Sequence, residues 1–305
     1  MFSKTLTIFL IFITLIYIPS AIANNYVLKD AENFAELFAD HSPLTSKDIQ
    51  EKYLDIGSQG IEIFMPARII NANNLTSVVN RNKSAYEKAI QLCLPAVQKL
   101  AVPVNKLLNK IKTLLGQDNA APAYILFGAN TSGGTATKDG LAIALEVLCW
   151  FAETPAEVSD VLLGFIAHEI FHVYQERSNP TLYSRDMTKQ TPTLLKRSLV
   201  EGIADFVAFL ALGEVNNAEI ERHEYGLKNE AEIWSKFKKT MQSTKLGDWL
   251  YSQGKNKPND MGYWIGKQIA ASYYKNADNK TKALKELLLL EDPTLILLNS
   301  GYNPE

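Results

Sequence analysis

Residues 166–176 read IAHEIFHVYQE, which sets two of the chain's four histidines four positions apart with a glutamate directly after the first. On an α-helix, side chains four apart share one face, so His168 and His172 can hold one ion from successive turns while Glu169 projects beside it. Neutral imidazole is the commonest protein ligand for zinc, and a carboxylate beside the metal can take a proton from bound water. A chain with so few histidines should show this HExxH spacing by chance in well under about one case in a hundred.

Local signals place the motif on a helix. Thr154-Pro155-Ala156-Glu157 offers an N-cap threonine, a proline at the first helical position and a capping-box glutamate, so a helix is predicted from there to about residue 177. Further helices are predicted over roughly 194–212, within 218–241, over 261–275 and over 281–290. The first of these carries SLVEGIADF, with Glu201 and Asp205 one turn apart among Leu199, Val200, Ile203 and Phe206, where unpaired acids are costly. A metal gives them a partner, with Glu201 as the third ligand and Asp205 accepting the N–H of a ligand histidine, His168 first. Gly202 is expected to give the histidine helix room to approach.

Upstream, residues 123–148 read AYILFGANTSGGTATKDGLAIALEVL, two apolar runs around a Gly/Thr/Ser-rich stretch with the composition of a long hairpin connection. Residues 141–147 alternate, which predicts a half-buried strand. An exposed edge there could take an extended peptide as an added strand, with Gly164 leaving space for its backbone. From 31 to 117 the pattern is largely helical, strongest at 34–38, 86–100 and 107–115. GIEIFM (60–65) interrupts it as a short strand or a loop.

The composition, 47% hydrophobic over 305 residues, suffices for one large core or two modest ones. A formal charge of -2 with dispersed Lys and Arg leaves no basic stripe, which argues against nucleic acid or an anionic membrane as partner. The first residues differ: Lys4, an apolar run over 6–18, Pro19-Ser20 and Ala21-Ile22-Ala23 read as a signal peptide cleaved after Ala23. The expected location is therefore periplasmic or secreted, with no stable membrane insertion once the leader is gone. The rival, an uncleaved anchor, is disfavoured by the short run and by Pro19. Export would let Cys93 and Cys149 pair if the fold brings them together; their contexts, QLCLP and EVLCWF, also suit two small buried hydrophobes. Two cysteines alone cannot build a structural zinc ribbon.

HEIFH followed by EGIAD resembles the gluzincin metallopeptidases and, more narrowly, the zinc-dependent proteases grouped as domain-of-unknown-function family 2268. The likeness runs over residues 120–302, through TPTLLKRSLVEGIADF, GYWIGKQIAASYY and LLLLEDPTLILLNSGY. It departs in the 28 residues between His172 and Glu201, a longer gap than in the best-known gluzincins. The resemblance implies a zincin-like α+β fold, mainly helical with a small antiparallel or mixed sheet. Its organisation would be a leader (1–23), a helical N-terminal portion (24–118) and a metallopeptidase domain (119–305). It further implies Zn2+ on His168, His172 and Glu201, Glu169 as general base, and a peptide or protein substrate. Tyr263, in GYWIG, is the first candidate oxyanion donor and His223 the second. The alternative from another class is a secreted zinc-binding folding or binding factor without catalysis; the intact Glu169 weighs against it, since a structural site has no use for that residue. A membrane-anchored binding protein without metal would need both motifs to coincide by accident.

Overall fold

The computed structural model describes residues 24–40, 43–182, 191–251 and 257–305; the expected leader, 1–23, lies outside them. Strand β1 (Tyr26–Val27) leads into helices α1 (Lys29–Asp40), α2 (Ser46–Ile49), α3 (Gln59–Phe64), α4 (Ala72–Arg81), α5 (Lys83–Lys88), α6 (Leu94–Gln98) and α7 (Ala101–Leu114). Strands β2 (Ala123–Leu126), β3 (Gly134–Thr137) and β4 (Gly140–Ala144) follow, then the short α8 (Leu145–Leu148). The remaining helices are α9 (Pro155–Ser178), α10 (Leu194–Leu212), α11 (Ile220–Lys228), α12 (Glu230–Thr240), α13 (Met261–Asn276), α14 (Lys280–Leu289) and α15 (Pro293–Ser300). The protein is thus α+β, mainly helical, with a small mixed sheet in the order β1-β2-β4-β3. One contiguous apolar core takes in residues from Tyr26 to Ile296. No helix among the described residues is long and apolar enough to cross a membrane.

The sheet departs from the hairpin expectation. β2 and β4 run parallel, Ala123 opposite Leu141 through Leu126 opposite Ala144, and the Gly/Thr/Ser-rich connection itself supplies β3, antiparallel to β4. β4 is therefore an interior strand. It ends at Ala144, not Val147, and with α3 and α9 both packed on it Leu141 to Ala144 are all buried. The alternation read in 141–147 was of large against small apolar residues, and both kinds can be buried. The free edge falls to β3, whose residues are half-buried.

GIEIFM is helical, as α3. Ser58 caps it by accepting from the Gly60 N–H, and Asp30 holds Ser58 by its N–H and hydroxyl. Gly60, Ile61 and Phe64 form the buried face, and a Cβ at Gly60 would collide with Tyr124 of β2. Other boundaries shift less: the segment 218–241 is two helices, divided at Asn229 with φ -121 and ψ 22, and α15 goes beyond the expected helices, capped by Asp292.

Near the end of β2, Phe34 stacks on Phe127 at 4.5 Å and meets Tyr53 edge-on at 5.1 Å. The Tyr53 and Tyr86 hydroxyls donate to the carbonyls of Phe127 and Gly128. Glu146, wholly buried, accepts from the Gly128 and Asn130 N–H groups. This polar knot fixes the start of the loop that leads into β3. Cys93 and Cys149 pair as a disulfide with a Cα–Cα distance of 6.0 Å, which ties the turn before α6 to the end of α8.

Candidate metal centre

Helix α9 starts at the Thr154/Glu157 capping box with Pro155 in its first turn and runs 24 residues. Ile166, Ala167, Ile170, Phe171, Val173 and Tyr174 are buried around it, so the helix is surrounded by packing and His168 and His172 occupy its α10 side. α10 is capped by Thr193, whose side chain accepts from the Lys196 N–H, and stopped by Gly213 at φ 89. Glu201 and Asp205, one turn apart, both reach α9. Gly202, by contrast, faces α13: a Cβ there would collide with the backbone of Gly266 and Lys267. The glycine of EGIAD thus serves the approach of α13 and not that of the histidine helix. Gly164 likewise does not leave space for a substrate backbone, since the Asn216 side chain fills the volume of its missing Cβ.

Three donor atoms converge. His168 Nε2 lies 3.2 Å from His172 Nε2, and Glu201 Oε2 lies 3.4 Å from each. Ligands held tetrahedrally at about 2.0–2.1 Å from zinc stand about 3.3 Å from one another, so these atoms form one face of such a tetrahedron. His168, His172 and Glu201 are the group of metal-type donors found among the described residues. Behind them, His168 Nδ1 is 2.7 Å from Asp205 Oδ1, and Asp205 Oδ2 accepts from Arg222 Nη2 at 2.9 Å. With Nδ1–H donating to Asp205, His168 Nε2 presents its lone pair to the centre of the triangle.

The electrostatics favour a cation at that point. Burial works against charge on Glu201 and Asp205, but hydrogen bonds from the imidazoles outweigh it, holding Asp205 below the usual carboxylate range and Glu201 well below it. Burial also opposes charge on His168, yet Asp205 and Glu201 draw its pKa well above the usual imidazole value. A field that draws a proton so strongly to this imidazole also favours a metal ion among the same donors. The donor set fits zinc by type, spacing and charge.

The other sequence candidates lie around this triangle. Glu169 is half-buried, and its charge bears on His168. The Tyr263 ring stacks on the His168 imidazole at 6.0 Å and 21°, with the Arg222 guanidinium 5.0 Å from its centroid. His223 is not in the donor group: its Nδ1 is buried without a hydrogen-bond partner, and burial and the Lys267 charge lower its pKa. The residue that α11 sends to the cluster is Arg222. Sequence reasoning also missed Tyr251, which donates to Glu201 Oε1 at 2.6 Å and hydrogen-bonds Tyr263. Tyr251 sits at φ 57, its N–H held by Asp260 Oδ1, and nothing in GDWLYS marks it as a site residue.

With the fold and the cluster in place, the comparisons with known proteins can be set beside them. No curated protein and no solved structure matches the chain. One family model matches residues 31–286, with the description "Putative zinc dependent peptidase (DUF5700)". That span takes in nearly all of the N-terminal helices, strands β2 to β4, His168, His172, Glu201, Tyr251 and Tyr263, so the chain belongs to this zinc-dependent peptidase family.

Proposed function

We propose that the protein is an exported, gluzincin-type zinc metallopeptidase that hydrolyses peptide bonds, with His168, His172 and Glu201 as metal ligands and Glu169 as general base. The observation that carries the reading is the triangle of donors, 3.2 and 3.4 Å on its sides, with a spare carboxylate on the residue after His168. Zinc bound there supplies an acidified water and a Lewis acid for the scissile carbonyl. Glu169 takes the proton of the attacking water and returns it to the leaving amine. Asp205, anchored by Arg222, keeps His168 in one tautomer and orientation. Tyr263, suggested by the sequence, is the phenol proposed to donate to the developing oxyanion, while Tyr251, whose one proton goes to Glu201 Oε1, holds that ligand in place. Burial, helped by the Glu201 charge, raises the pKa of both, so each keeps its proton.

The free edge of β3 is the surface on which an extended substrate would pair. It lies against the histidine helix, where a Cβ on Gly134 would stand 2.6 Å from Phe165, one turn before His168. The Cys93–Cys149 disulfide supports export, since such bonds persist in oxidising compartments.

Glu169→Gln tests the function directly, because it keeps size and shape but removes the base. The variant should hold about one zinc per chain, melt near the wild-type temperature and lose peptide hydrolysis by at least about 100-fold. Equal cleavage by both proteins would end the catalytic reading. Zinc held firmly by both without cleavage in a broad peptide library would put a zinc-binding factor in its place.

A further inference from the structure

Among the described residues, the cations around the centre are ion-paired except for Arg197. Arg222 is held by Asp205, and Lys267 is held by Glu219 at 2.8 Å. Arg197 lies on α10 one turn before Glu201, so the two side chains share a helix face about 5–6 Å apart at Cβ. Its Nε is buried and has no hydrogen-bond partner, and among the described residues it makes no ion pair. Its charge bears on the Tyr251 hydroxyl, the group that donates to Glu201. A guanidinium is thus set beside a metal ligand with its Nε donor unused.

We infer that Arg197 recognises a carboxylate of the substrate, so that this site selects peptides carrying a negative charge close to the scissile bond. The inference rests on the metallopeptidase reading for its substrate. Its physical basis is independent: the guanidinium has no ion-pair partner among the described residues, its Nη groups are not among the buried unpaired atoms, and a planar guanidinium meets a carboxylate with two parallel hydrogen bonds. A neutral amide at the same place leaves one of those donors unanswered, so the penalty falls on the neutral peptide. The carboxylate could be the chain's C-terminus or an acidic side chain, sources with the same chemistry.

Binding to the full mature chain, zinc-loaded and carrying Glu169→Gln to stop turnover, tests this without relying on hydrolysis. The probes are dansylated pentapeptides in two matched pairs, one with a C-terminal acid against the amide and one with an internal Glu against Gln. At least one pair should show the acidic member binding about 10-fold tighter or better, and the pair that does so names the source. Adding Arg197→Gln should bring that ratio to about 1, and Arg197→Lys should restore part of it. Zinc content and melting temperature of the Arg197 variants report folding separately. Equal binding within both pairs, no binding of any probe, or a preference that survives Arg197→Gln overturns the inference. A preference that depends on Arg197 in a protein whose wild type cleaves no peptide would overturn the peptidase reading alone.

Discussion

Two regions of this molecule bury carboxylates, and they do so to opposite electrostatic effect. Under the end of the sheet, burial pushes the Glu146 carboxyl up to about 7 although the N–H groups of Gly128 and Asn130 pull it down. Between α9 and α10, half-buried Glu201 and buried Asp205 are drawn below the usual range, because imidazoles and Arg222 face them. Burial alone therefore says little about what an acid does. Facing only neutral backbone donors, Glu146 holds a loop in shape; facing imidazoles that can share a metal, Glu201 and Asp205 create a place for a cation. The comparison separates a structural carboxylate from a functional one by its partners.

The comparison breaks most visibly at Glu201. Glu201→Ala removes one of three donors and should weaken zinc affinity by on the order of 1,000-fold or more, read by competition with a chromophoric chelator. Asp205→Ala removes the anchor of His168 but no donor, so the loss should be about 10- to 100-fold. If Asp205→Ala proved the more damaging, the triangle would be wrongly composed.

How much of this was legible in the sequence depends on whether a feature is local. The start of α9 is written in four consecutive residues, the histidine pair in five, and Glu201 with Asp205 in one turn, so caps, period and donor spacing could all be read. Tyr251 and Arg222 come to the site through tertiary packing, which their own neighbours in the chain do not signal, whereas Arg197 stands one turn before Glu201 on α10 and its place follows from helix spacing. The sheet was misread for a related reason. Ala142 and Ala144 looked like an outward face only because small residues resemble polar ones in an alternating pattern, whereas α3 and α9 bury them as completely as Leu141 and Ile143. In GIEIFM the exposed Glu62 suggested a period of two, while Asp30, some 28 residues earlier, fixes the helix cap.

The smallest expected effect sharpens the contrast from the Glu146 side. Its folded pKa, about 7, lies above the ordinary value of 4.5, so between these limits the folded chain binds more protons than the unfolded one. Stability from this group is then fully present below about pH 4.5 and is lost as pH rises through about 7. Between pH 5 and pH 8 the loss should be about 2 kcal/mol, a fall of several degrees or less in melting temperature for a chain of this size. Glu146→Gln keeps one acceptor for the loop N–H groups and has no charge to bury, so it should melt with a flatter pH profile over that window, with its largest gain relative to wild type at the alkaline end. The experiment is a set of melting curves at constant ionic strength, with a chelator present so that the α9–α10 centre does not contribute through bound metal. A variant whose profile parallels the wild type would mean that the Glu146 carboxylate is as comfortable as those facing the imidazoles, and the distinction between the two regions would have to rest on something other than their partners.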